Sequence, residues 1–562
     1  LNTQQKLKRR GSTPALLAGI AVLVCLFGQL GAMGLTGPDE PRYVWIARVM
    51  AQTGDWVTPR LYGQPWFEKP ILYYWLAAIG FRLHFSAEWA ARLPSAFAAL
   101  ALLAAIAWLA RRLYGQSPDS ARDPAMVTTL IFTTTVAATG FARAATPDML
   151  FSTAIGAAMV CASVLFEQEG ALRAASESID AALNRSLFLV LFGAFLGLGV
   201  LAKGPAAVIL AAGALLLWAL ATGQWKKTLG LAHPFAIGAF GIVALPWYLL
   251  CALRNPDFLH VFIFQHNFER YLTPVFQHRQ PFWFFGPITL AAMLPWTALL
   301  WPAAQNGLRL WRDKSWHASP AFFFSCWAIF PVLFFSFSQS KLPSYILPAV
   351  APLALVCAVA WIRTVERGPR ALALIGALLT VTWVALVLAG LLFVRRIPWG
   401  DARLGDRTAS VPVFLYVVFA LILLSAALAF WSARSSNAPR VIGLCAFCFV
   451  LGVQAADLAI LPQLDRQISA RYYANFLRNY AHPDRLFIYQ LPRAWDYGLA
   501  FYFGRELPEW PPHDPDPALV LTTPKGSAAI VATERSVQMA DAPPARDALV
   551  LVPITAARHF SK

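Results

Sequence analysis

Charge is what this sequence has least of. Asp, Glu, Lys and Arg make up 13% of its 562 residues, against about 25% in soluble globular proteins. So little charge excludes a disordered chain, which needs low hydrophobicity and high charge. It also argues against the three or four soluble domains that ~150 residues per domain would give. Cysteine is sparse as well. Cys25, Cys161, Cys251, Cys326, Cys357, Cys445 and Cys448 all lie in apolar runs, with no metal-ligand spacing. That removes a disulfide scaffold and a cysteine-ligated metal, and leaves buried, inert thiols. There is no Walker A string, so no nucleotide is expected. The net charge of +17 (46 basic minus 29 acidic residues) is not gathered in runs on a polar surface, which speaks against nucleic acid as a partner. No internal repeat is visible, so a transporter or lipid flippase is only a distant alternative.

What is present is apolar. Hydrophobic residues reach 58% and the mean hydropathy is +0.54. The fold class expected is an α-helical polytopic membrane protein with a C-terminal soluble α/β domain. Segments of about 20 apolar residues centre on 14–34, 91–112, 124–141, 147–166, 186–202, 204–222, 231–253, 281–303, 319–338, 343–362, 370–393, 411–432 and 438–461. Lys203-Gly204-Pro205 divides what would otherwise read as one long helix. Lys6, Lys8, Arg9 and Arg10 precede the first segment. That segment is too long for a signal-peptide core and has no small-x-small cleavage site, so a retained helix is expected.

Basic residues at 6–10, 111–112, 173 and 185, 226–227, 309–314, 363–370 and 434–440 mark alternate loops as cytoplasmic. The long loops 35–90 and 254–280 then lie on the opposite side, with a smaller one at 394–410. An odd number of spans places the C-terminus there too. Within 35–90, an amphipathic piece at 43–52 and an apolar patch at 71–81 suit juxtamembrane helices. The membrane domain is expected to occupy 1–462 and the soluble domain 463–562. The latter shows an amphipathic segment at 466–480 and short apolar runs at 485–490, 518–523, 528–533 and 548–553.

Polar groups beside a membrane are costly unless paired or used. Asp39 and Glu40 sit in Pro38-Asp39-Glu40-Pro41-Arg42, just past the first helix. Such carboxylates suit a general base, a ligand for a cation, or a metal site; a turn with a solvated ion pair to Arg42 is the plainer reading. Glu68 and Lys69 stand among aromatics in Pro65-Trp66-Phe67-Glu68-Lys69-Pro70, followed by Tyr73-Tyr74-Trp75. The lysine suits a lipid phosphate or an ordinary interfacial anchor. Arg143 and Asp148 flank a tight turn and can pair with each other. Lys203 lies between two apolar helices. Arg254 and Arg270 can bind phosphate bidentately, and His266 near Glu269 is a weak metal signal. Lys341 and Tyr345 are four apart and would share a helical face, but Pro343 lies between them. All these residues are expected at one, non-cytoplasmic, end. Fixed cations, scattered carboxylates and aromatic platforms there suit a substrate with a phosphate, a sugar and a lipid tail.

In order and spacing, PDEPRY at 38–43, GDWVTPRLYGQPWFEKPILYYW at 54–75, ARLPSA at 91–96, TPDML at 146–150, AKGP at 202–205, PWY at 246–248, HNFERY at 266–271 and SKLPSYILP at 340–348 resemble the bacterial lipid A aminoarabinose transferases. These belong to the GT-C membrane glycosyltransferases, with the protein O-mannosyltransferases. The resemblance covers the membrane part. It implies thirteen spans and a periplasmic site in the inner membrane. It also implies an undecaprenyl phosphate-linked aminoarabinose donor, a lipid A phosphate acceptor, polymyxin resistance as the outcome, and no obligate protein partner. By position it implies Asp39 as the main catalytic carboxylate, with Glu40 and Asp148 in support. Lys69 and Arg254, with Lys203, Arg270, Lys341 and Tyr345, would bind the donor phosphate. Glu68 and His266 would be the ligands if a divalent metal binds. A mannose-type transfer to protein hydroxyls or another envelope glycan is the alternative.

Overall fold

The computed structural model describes residues 14–172, 179–262, 280–397, 399, 411–480, 486–511, 518–533 and 549–554. Eight described helices are long and apolar enough to cross a bilayer: Ala87–Tyr114, Asp148–Glu167, Ala182–Lys203, Pro234–Arg254, Pro343–Glu366, Pro369–Val394, Val413–Arg434 and Ala438–Ile468. Three shorter apolar helices, Pro14–Phe27, Ala206–Thr222 and Pro320–Ser336, accompany them. Two expected spans are bent pairs instead. Pro124–Thr133 meets Val136–Ala142 at 66°, and Phe282–Ala292 meets Trp296–Arg312 at 108°. In the first pair, Thr134 and Thr135 hydroxyls bond back to the Leu130 and Ile131 carbonyls, while Thr139 Oγ1 donates to Thr133 O. Side chains thus compete with the helical ladder at the break. In the second, Pro295 removes a backbone donor.

Burial sorts the helices. The Asp148–Glu167 window is 94% buried, whereas Pro234–Arg254 and Pro369–Val394 are 22% buried. The first is therefore the centre of the bundle, and the others present apolar faces outward, as lipid requires. Close packing relies on small residues. A Cβ on Gly193 would stand 1.9 Å from the Ala236 carbonyl oxygen, so the 179–203 and 234–254 helices meet at their backbones.

Between the first two spans run two short helices, Asp39–Thr53 and Leu72–Arg82, where amphipathic and apolar pieces are expected. A hairpin of β1 (Arg60–Leu61) and β2 (Gln64–Pro65) joins them. Its turn residues Tyr62 and Gly63 both have positive φ, 51° and 79°, as a tight hairpin turn demands.

The last apolar helix continues through residue 462 to Ile468. The amphipathic segment expected at 466–480 is split at Ser469, whose extended backbone bridges to Thr36, before Ala470–Tyr480. Beyond it lies a three-stranded sheet, ordered β3 (Leu486–Tyr489), β4 (Ala518–Thr522), β5 (Val550–Ile554). β3 and β4 are parallel, β4 and β5 antiparallel. The apolar run at 528–533 is not a strand. It ends the helix Pro524–Thr533, where Pro524 opens the first turn and alanines favour the helix.

Candidate active site

The chain between the first helix and Asp39 is held from several directions. Arg92, 4% exposed, donates to the carbonyls of Leu30, Met33 and Gly34 at 2.6, 2.6 and 2.9 Å. Its Nη2 also lies 2.9 Å from Glu40 Oε2. Glu40 accepts in addition from the Thr36 and Ala145 backbone amides, at 2.9 and 2.7 Å. Its carboxylate is therefore saturated and buried, and it ties the 143–147 turn to the start of the 39–53 helix. Asp39 differs. It opens that helix, where the helix dipole favours a carboxylate, and its side chain is 50% exposed.

Asp39 and Arg42 do pair, at 2.5 Å. The arginine is not solvated, however. It is buried and also binds Glu68 Oε2 at 2.9 Å, while Glu68 Oε1 lies 3.1 Å from Lys69 Nζ. An alternating row, Asp39, Arg42, Glu68, Lys69, results. The Arg42 guanidinium lies over the rings of Tyr43, Trp66 and Tyr497 at 5.4, 5.5 and 5.8 Å. Burial, then the charge of Glu68, pushes the Tyr43 and Tyr74 phenols well above their ordinary values, with Asp39 adding to both. Both remain protonated, and the buried Tyr74 hydroxyl has no hydrogen-bond partner among the described residues.

Asp148 does not pair with Arg143. It takes the first position of its helix, and the neighbouring helix ends at Lys203, whose ammonium pairs with it. Arg143 instead reaches Asp457 Oδ1 at 2.6 Å and the Gly28 carbonyl at 2.5 Å. Lys203 also lies over Phe151 and Tyr345, 5.5 and 5.2 Å from their centroids. Lys341 and Tyr345 do not share a helical face. Lys341 precedes an extended Leu342 and the single turn Pro343–Ile346; it is buried and donates to Ser338 O at 2.5 Å.

Arg254 ends the 234–254 helix and is 3.4 Å from Asp55 Oδ1, with its side chain 58% exposed. Trp247 on the same helix donates to Val57 O at 2.9 Å. Asp39, Glu40, Glu68, Lys69, Asp148, Lys203, Arg254 and Tyr345 therefore belong to one linked end of the bundle. Arg270 and His266 lie outside the described residues. Glu68 gives both oxygens to cations, and among the described residues no three His, Cys, Asp or Glu converge as a metal site. The metal role of Glu68 and His266 stays an expectation.

Sequence reasoning passed over two participants. Arg42 was visible only as an ion-pair partner, although it lies three positions after Asp39 on a helix. Tyr497 carried no signal. It belongs to the helix Arg493–Phe503 of the C-terminal part and is brought to Arg42 only by docking. That docking is dense. Arg48 donates to Phe501 O at 2.9 Å, and Tyr502 Oη accepts from Leu35 N and donates to Glu88. Arg471 joins Asp465, Glu88 and the Gly31 and Ala32 carbonyls.

Comparison with known proteins bears on this arrangement. The Erwinia tasmaniensis undecaprenyl phosphate-alpha-4-amino-4-deoxy-L-arabinose arabinosyl transferase is 32% identical over 451 residues, 80% of this chain and 74% of that protein. The chain belongs to this arabinosyl transferase family. It is a membrane glycosyltransferase. A relative of the same name, numbered 1, from Sodalis glossinidius is 36% identical over 346 residues, 61% of this chain and 58% of that one. The family model for dolichyl-phosphate-mannose-protein mannosyltransferase matches residues 15–262, the part that carries Asp39, Lys69, Asp148 and Lys203. Among solved structures, the arabinosyl transferase ArnT of Cupriavidus metallidurans bound to undecaprenyl phosphate superposes with a TM-score of 0.74. At 24% identity it covers 97% of this chain and 98% of that one, so the fold is shared over the C-terminal part as well as the membrane part.

Proposed function

We propose that the protein transfers 4-amino-4-deoxy-L-arabinose from undecaprenyl phosphate to a phosphate of lipid A at the periplasmic face of the inner membrane. The reaction would mask negative charge and confer resistance to polymyxin and cationic peptides. The sugar and donor rest on the relatives' names over 74% of the first relative's length; the acceptor rests on the motif resemblance. The observation that carries the reading is the end of the bundle itself. Half-exposed Asp39 and paired Asp148 stand there with Lys69, Lys203 and Arg254.

In this reaction an acceptor phosphate oxygen attacks C1 of the sugar. The bond from C1 to the donor phosphate oxygen breaks, and undecaprenyl phosphate leaves with the electron pair. Lys69 and Lys203, with Arg254 and Arg270, hold that phosphate and stabilise the charge it gains. Tyr345, under the Lys203 ammonium, and Lys341, which donates to a backbone carbonyl, support the binding of that phosphate. Glu40 positions the loop rather than reacting, because its oxygens are already saturated. A phosphate acceptor has its second pKa near ~6 and arrives anionic, so no base is needed to take a proton. Asp39 then acts by charge, on the ammonium of the sugar or on positive character at C1. A protein hydroxyl acceptor, favoured by the mannosyltransferase match, would make Asp39 a true base.

The test is mass spectrometry of lipid A from a strain that makes the donor but lacks its own transferase. A pentosamine adduct with this protein supports the reading. Its absence from folded protein discards lipid A as acceptor and turns the search to glycoproteins.

Tyr497 tests the role of the C-terminal helix in the same assay. Cation–π contacts contribute about 0.5–2 kcal/mol. Tyr497→Ala is therefore expected to lower kcat by about 2- to 30-fold, with little change in KM for the donor. Tyr497→Phe keeps the ring and should restore the rate. Equal loss in both variants would dismiss the ring as the positioning element for Arg42.

A further inference from the structure

The opposite end of the bundle holds a second group of cations that the transfer reaction does not use. The Leu347–Glu366 helix begins two residues after Tyr345 and ends next to Arg367, roughly 29 Å from end to end at 1.5 Å per residue. There Arg367 donates to Asn306 Oδ1 on the helix Leu300–Arg312. Arg309 lies one turn beyond Asn306, and Arg363 one turn before Arg367. None of the described carboxylates forms an ion pair with these three arginines, although Asp313 and Glu366 are close in sequence and exposed. Elsewhere on this end, Arg112 has Glu167 and Arg111 has Asp123. Desolvation and the positive charges of Arg309 and Arg363 pull the Arg367 guanidinium below its ordinary value.

Two further observations point to an anion. Asn306 is 5% exposed, yet its Nδ2 has no hydrogen-bond partner among the described residues. A buried amide donor left unsatisfied destabilises the fold unless something accepts from it. Asn306 and Arg363 also line a cavity of about 40 Å³, with Leu310, Trp316, Phe322 and Ser325. At 10–15 Å³ per water-sized position, it has room for about three such positions, close to the oxygens of one phosphate group. Trp301 and Trp311, on the same helix, are 61% and 66% exposed. Tryptophan favours the headgroup level of a bilayer.

We propose that Arg309, Arg363, Arg367 and Asn306 form a binding site for the phosphate of an anionic membrane lipid, at the end of the bundle remote from Asp39. The ligand supplies the missing counter-charge, accepts from Asn306, and fastens the 300–312 helix to the 347–366 helix.

The experiment is native mass spectrometry of the purified full-length protein, titrated with phosphatidylglycerol, cardiolipin or phosphatidylcholine. The parent is expected to retain the two anionic lipids and not phosphatidylcholine. Arg363→Gln/Arg367→Gln should bind them about 30-fold more weakly, from about one kcal/mol per basic residue near a membrane. Arg434→Gln/Arg440→Gln removes the same charge from another loop and should bind as the parent does. If the double variant fails to fold, exposed Arg309→Gln replaces it, with a smaller loss expected. Equal weakening in the control overturns the site in favour of general charge. Equal retention in all variants overturns it outright. Binding of inorganic phosphate as tightly as the lipid would overturn the lipid and leave a free-phosphate site.

Discussion

Replacing Asp39 by asparagine is expected to lower sugar transfer by about 10²–10³-fold while leaving the fold intact. A preorganised charge aimed at charge developing in the transition state contributes about 2.7–4 kcal/mol. Asp39 is suited to that role because its side chain is half exposed while the groups around it are fixed. Arg42 is held by Glu68 as well as by Asp39, so it keeps a counter-ion when Asp39 loses its charge. Asparagine is nearly isosteric with aspartate, and the half-exposed position leaves it solvated. The measurement is the rate of pentosamine transfer to lipid A, with the thermal transition of each purified protein recorded alongside. Undiminished transfer by Asp39→Asn would remove Asp39 from the chemistry. The pH profile separates its two possible roles. With a phosphate acceptor, the parent rate should rise as pH passes the acceptor's second pKa near ~6. A hydroxyl acceptor carries its proton across that range, so the rise near pH ~6 should then be absent.

The second large effect concerns stability. Arg92→Ala should destabilise the protein by about 3–5 kcal/mol, the usual result of removing one partner from a buried ion pair. The cost is high because one guanidinium serves Glu40 and three backbone carbonyls at once. Its loss leaves a carboxylate that is 9% exposed facing protein, and frees the loop that leads into Asp39. Glu40→Gln should cost less, since an amide oxygen still accepts from Thr36, Ala145 or Arg92. Detergent-solubilised protein, unfolded by heat and followed by intrinsic tryptophan fluorescence, provides the comparison. If Arg92→Ala melts with the parent, the loop does not depend on this residue. Transfer should fall in the same variant, because Asp39 is positioned by the loop that Arg92 holds.

These two residues divide what was legible in the sequence from what was not. Asp39 stood out because a carboxylate beside a membrane needs a reason, and the motif around it was familiar. Arg92 lay in a recognised string, ARLPSA, yet nothing in the string told that it gathers four acceptors. The same contrast holds for pairings. Arg143 and Asp148 are five apart and invited a local ion pair; the fold gave Arg143 to Asp457, more than 300 residues away, and Asp148 to Lys203. Ion pairing is decided by which helix ends are neighbours, and helix neighbours are set by packing over the whole bundle.

The sequence by itself determined the class of protein and where the helices are. Composition, the length of apolar runs and the Lys203-Gly204-Pro205 break are local properties, and a membrane makes them decisive because each buried backbone group must be satisfied within its own helix. It also determined that the unusual polar residues fall at helix ends. Only the tertiary structure decided which helices bend, that the amphipathic segment breaks at Ser469, and that Glu40 is buried and saturated while Asp39 is half exposed. It also decided that Tyr497, from the far end of the chain, covers Arg42. Those outcomes depend on contacts between residues hundreds of positions apart, for which the chain carries no local periodicity to read.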